Sequence, residues 1–76
     1  MTGAKHEVVY EITIEGRLDE QWSDWFDGMV ITCHPAERDH IVTILTGPVV
    51  DQAALHGLLI KIRDLNLELV SVWRVR

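Results

Sequence analysis

Two groups of side chains in this 76-residue sequence carry the residue types that chemistry needs. The first is Cys33, His34, Glu37, Asp39 and His40, all of them potential metal donors crowded around one short polar stretch. His34 and His40 are the metal candidates, since they can face each other across a turn. Adjacent Cys33 and His34 point to opposite sides of a regular strand, however. The spacing also matches no zinc, calcium or metalloprotease pattern. The expectation is therefore a solvated turn with one core cysteine, and no metal or cofactor.

The second group centres on His56. It lies in the first turns of a helix beside Asp51 and Gln52, and an Asp–His pair can do acid–base work. Sequence alone places no nucleophile there, because Ser23, Ser71 and Cys33 sit on other segments. His56 with Asp51 is thus the catalytic candidate of a small enzyme. A helix-surface or interface histidine is the simpler reading. Gly47-Pro48-Val49-Val50-Asp51 leads into the same helix, yet it has one glycine and no lysine, so it is no phosphate loop. Trp22, Trp25 and His56 are the ligand-binding candidates. Packing of Trp22, Trp25 and Trp73 in a small core is the competing use of those rings.

The elements that must position these residues follow from hydropathy patterning. From His6 to Glu15, Val8, Tyr10, Ile12 and Ile14 alternate with polar positions, the period of a half-buried strand. Leu18, Trp22, Trp25, Phe26 and Met29 recur at helical spacing, with Asp19 as N-cap and Gly28 as stop. Met29–His34 and His40–Thr46 read as a hairpin around the turn Pro35–Asp39, and Gly47-Pro48 ends the second of these strands. Asp51 caps a second helix whose Leu55, Leu58, Leu59, Ile62 and Leu65 form one stripe, and Asn66 stops it. Gly57 in its middle costs about 1 kcal/mol against alanine, which points to a close approach by a neighbour. Leu67–Val75 is the last strand.

The order β-α-β-β-α-β predicts an α+β ferredoxin-like sandwich: two helices on one face of a four-stranded antiparallel sheet, in spatial order 4-1-3-2. Residues 1–5 read as a flexible tail and 6–76 as the single domain. The second sheet face is left bare, with Glu7, Glu11, Thr13 and Glu15 wetting part of it. Val9, Val70 and Val72 form an apolar patch on that face, the expected interface of a homodimer or higher homo-oligomer.

Twelve acidic against seven basic residues give a formal net charge of -5, which disfavours nucleic acid as a partner. No apolar run reaches the length of a membrane span, and no secretory leader is read in Met1–Glu7. With one cysteine there is no internal disulfide. A soluble cytoplasmic protein is expected, with a protein partner or a small metabolite as further possibilities.

Gly16-Arg17-Leu18, Trp22-Ser23-Asp24-Trp25-Phe26 and the long run Thr46-Gly47-Pro48-Val49-Val50-Asp51-Gln52-Ala53-Ala54-Leu55-His56-Gly57-Leu58-Leu59, continued by Asp64-Leu65, carry a resemblance. The chain resembles a family of short, functionally uncharacterised bacterial proteins, most familiar from actinobacteria. That likeness implies a compact α/β domain and assigns no activity or catalytic residue. A second, fold-level likeness runs to the ACT domains, small ligand-binding regulatory domains of amino-acid metabolism. They share this element order and commonly pair through sheets or helices. Their acidic–glycine–leucine loop follows the first strand, whereas here Asp51 precedes the second helix and Gly57 lies inside it.

Overall fold

The computed structural model describes residues 8–76. The expected tail and the strand residues His6 and Glu7 lie outside the described residues. Strands β1 (Val8–Glu15), β2 (Val30–Pro35), β3 (Ile41–Val49) and β4 (Leu69–Arg74) form one antiparallel sheet in the order β2-β3-β1-β4, which is 4-1-3-2 from the opposite edge. One helix, α1 (Gln52–Asp64), and a 3-10 helix, Glu20–Phe26, supply the covering layer. The fold is a small α+β domain with one long helix where two were expected.

Period two sorts the sheet into two sides. Ile12 and Ile14 of β1 are fully buried, as is Leu45, which pairs with Ile12. Thr43 pairs with Ile14 and Ile31 with Leu45, so the same side continues across β3 and β2. Against it pack Leu55, Leu58 and Ile62, the inward stripe of α1, together with Leu18, Phe26 and Met29. Asp51 begins α1 as expected, its carboxylate accepting the Ala54 N–H at 2.8 Å. Asn66, at φ 60°, ends it: the Leu67 N–H reaches back to the Ile62 carbonyl at 3.1 Å, closing the last turn.

The first covering segment departs from the expected α-helix. Asp19 does cap it, accepting the Gln21 N–H at 3.1 Å, but the segment winds as a 3-10 helix with three residues per turn. With that period Ser23 and Phe26 turn inward, while Trp22 and Trp25 share an outer side. Phe26 is fully buried, whereas Trp22 is 39% and Trp25 45% exposed. The tryptophans are therefore not core residues. The left-handed pair Asp27 and Gly28 reverses the chain, and Ser23 Oγ donates to the Met29 carbonyl at 2.8 Å to hold the exit.

Three further expectations are corrected. β3 does not stop at Thr46 but runs through Gly47 and Pro48 to Val49. Pairing with β2 ends at Val30↔Thr46, so Pro48 sits where β3 is locally an edge, the one place a sheet tolerates a residue without an N–H. Close approach falls at Gly47 rather than Gly57: a Cβ on Gly47 would lie 3.1 Å from Met29 Cγ, whereas one on Gly57 would meet nothing within 4 Å. Finally, β4 carries a bulge. Ile14 pairs with Leu69 and Thr13 with Ser71, leaving Val70 unpaired. Parity shifts by one residue there, so Val72 pairs with Ile12 and packs on the core, and Trp73 pairs with Glu11 on the bare side. Val72 is thus not part of the outer patch.

One buried hydroxyl ties the layers together. Thr43 Oγ1 donates to the Gly16 carbonyl at 2.6 Å and accepts the Leu18 N–H at 2.9 Å, fixing the turn that leaves β1 for the 3-10 helix. Thr43→Val keeps the shape but strands two backbone groups, each costing about 1–3 kcal/mol. The expected outcome is a fall in the urea midpoint corresponding to about 2–6 kcal/mol, with unchanged m-value. Gly57→Ala, in open helix surface, is expected to raise stability by about 0.5–1 kcal/mol in the same assay.

Candidate functional site

The structure separates the residues of the turn. His34 Nε2 and Thr32 Oγ1 share a hydrogen bond of 2.9 Å along β2, while the His40 Nδ1–H donates to Glu15 Oε2 at 2.8 Å across to β1. Each histidine has its own partner, and they do not face each other. Among the described residues no three metal-donor side chains converge. Cys33 faces the covered side but is exposed, because β2 is an edge strand and the helical layer does not reach over it; it is not a core cysteine. Its Sγ lies 3.6 Å from both the Leu18 carbonyl and Thr43 Oγ1.

Nor do Asp51 and His56 form a pair. The Asp51 carboxylate is taken by the cap and His56 stands exposed on α1, with no hydrogen bond between them among the described residues. Among the described residues, two shallow depressions open to solvent. One, of about 560 Å³, runs from Arg17 to Gln21 beside Ile31, Thr32 and Cys33. The other, of about 440 Å³, is bounded by Glu15, His40, Val42, Val70 and the turn residues Ala36, Glu37 and Arg38. The Glu15–His40 dyad in this second depression could relay a proton. Among the residues lining the depression there is no hydroxyl or thiol.

On the helix side, Trp25 is held by α1. Lys61 Nζ donates to the Trp25 carbonyl at 2.7 Å, lies 5.4 Å from the centre of its ring, and reaches Asp27 at 3.6 Å. Trp22 meets Trp25 edge-on with ring centres 6.4 Å apart. The two rings form a ledge fastened by a lysine. That fastening was invisible in the sequence, where Lys61 lies 36 positions away.

The largest feature is the uncovered side of the sheet. Its middle mixes polar and apolar groups: Glu11 lies between Thr46 and Trp73, and Thr13 between Ile44 and Ser71. Its margins are apolar, with Val30 on the β2 side and Val9, Trp73 and Val75 on the β4 side. Val70 joins this margin from the bulge, on the rim of the second depression. Val9 and Val70 thus stand where the sequence put them, and Trp73 takes the place given to Val72. The bulge hid this, because both parities of Leu67–Val75 are apolar enough to face a core.

Two substitutions distinguish a fastening from a surface pair. Lys61→Met removes a hydrogen bond and a cation–π contact at a half-buried site and is expected to lower stability by about 1 kcal/mol. His40→Gln breaks only an exposed pair and is expected to change it by less than about 0.5 kcal/mol. Thermal and urea unfolding of both variants against wild type check the contrast.

Among the described residues no helix is long and apolar enough to cross a membrane. Neither a curated protein nor a solved structure matches the chain. Residues 9–73, from the patch residue Val9 to Trp73, match a domain of unknown function, DUF8691, and the chain belongs to that family.

Proposed function

We propose that this chain is a self-associating interaction module, a homodimer or higher homo-oligomer of a ferredoxin-like domain working in the cytoplasm. One observation carries the reading. Val30, Val70, Trp73 and Val75 are 62%, 53%, 63% and 54% exposed, and they stand where no helix covers the sheet. A domain this small gains most by removing such surface from water, and a second copy is the partner always present at its own concentration. The first covering element is a 3-10 helix, so the ferredoxin-like description rests on strand order and α1. A reducing compartment suits exposed, unbridged Cys33. The separation of Asp51 from His56 supports a binding role over chemistry at that pair.

Sedimentation velocity over a dilution series is the test. A dimer or larger species is expected at high concentration, returning to monomer on dilution. Trp73 fluorescence should shift to the blue as the assembly forms. A monomer at every concentration up to the solubility limit sinks the proposal.

A further inference from the structure

We infer that the second copy joins edge to edge, β4 against β4 about a two-fold axis, to make one continuous eight-stranded antiparallel sheet. The inference rests on the self-association proposed above and names its surface. Four observations favour the edge over stacking of the bare faces.

First, exposure on β4 is two-sided. Leu69 faces the helical layer yet is 44% exposed, and Trp73 on the other side is 63% exposed. A bare face leaves only one side of each strand wet. Apolar groups wet on both sides of one strand mark a missing lateral neighbour. Second, the bare face is poorly suited to stacking. Glu11, Thr13 and Thr46 surround Ile44 in its middle, and a dry contact there would bury the Glu11 carboxylate without a partner.

Third, the two edges of the sheet differ. β2 presents Thr32, Cys33 and His34, ends on Pro35, and has the 3-10 helix packed beside it, all features that discourage strand addition. β4 has its bulge at Val70, which interrupts the edge there, but the stretch Ser71–Trp73 beyond it has neither proline nor charge. Because Val75 donates its N–H to the Val9 carbonyl at 2.7 Å, alternation turns the N–H groups of Val72 and Arg74 away from β1, toward the open edge. Fourth, the edge is complementary to itself. The N–H and C=O groups of Val72 and Arg74 both face outward, so a second copy running antiparallel can exchange hydrogen bonds between Val72 of one and Arg74 of the other, about a two-fold axis at Trp73.

The contact is one strand wide and roughly 20 Å long, at the small end of specific interfaces.

A proline substitution read by sedimentation tests the geometry. Arg74→Pro removes an outward N–H without touching the ladder to β1 and is expected to weaken the dimer on the order of tenfold. Thr46→Lys, in the middle of the bare face, should leave the dimer intact, and circular dichroism verifies folding of each variant. Hydrogen exchange supplies an independent reading on the unaltered chain: the Val72 and Arg74 amides should be protected in the dimer and exchange fast on dilution. If Thr46→Lys gives monomer, or those two amides exchange in the dimer at the monomer rate, the edge geometry is overturned while self-association stands. A wild-type chain that is monomeric throughout removes both.

Discussion

Contact between the inward stripe of α1, with Phe26 and Met29 beside it, and the Ile12–Ile14–Leu45 side of the sheet is the constraint on which everything else rests. A four-stranded sheet has two sides, and this chain carries helix enough for one. The sheet must therefore be built from strands with one dry and one wet side, which is what β1 is. The short first connection must also add its share to the dry side. It does so by ending on Phe26 and Met29 and by entering through a turn pinned to the Thr43 hydroxyl. Polar groups buried on the dry side are few, and each is matched to a backbone partner, as a small core requires.

The parts of the fold legible in the sequence were those where one period dominated. β1 alternated over eight residues, and α1 showed cap, stripe and stop at the right separations. The Trp22–Met29 segment misled because spacings of three and four are shared by two kinds of helix, and only length and packing separate them. Gly47-Pro48 misled in another way. Proline is read as a break, but its effect depends on whether a neighbouring strand needs its N–H, and β2 has already ended there. The last strand resisted because its apolar residues fall on both parities, so a single extra residue decides which set turns inward.

Legibility of the surface followed the same lines. The bare sheet side was readable from β1 alone, since Glu11, Thr13 and Glu15 had to face water. The apolar residues of its margin were only partly readable: Val9 and Val70 were, Trp73 was not. The polar candidates illustrate a different limit. His34, His40, Asp51 and His56 are close in sequence to groups they could use, yet each lies on an element whose geometry assigns it elsewhere. His34 is taken by Thr32, His40 by Glu15 and Asp51 by the start of its own helix. Proximity along the chain says little until strand sides and helix caps have claimed their share of polar atoms.

The unpaired Val70 has one more consequence. It is slack, a residue of chain length that β4 does not use in reaching from Leu69 to Ser71. Losing it would leave every other side chain of the strand on its present side. Straightening the strand with the residue retained would exchange them, sending Trp73 inside and Arg74 out. Length variation in this segment is therefore harmless at one position and inverts the strand at any other, which makes the bulge the point where related sequences can differ in length without turning themselves inside out.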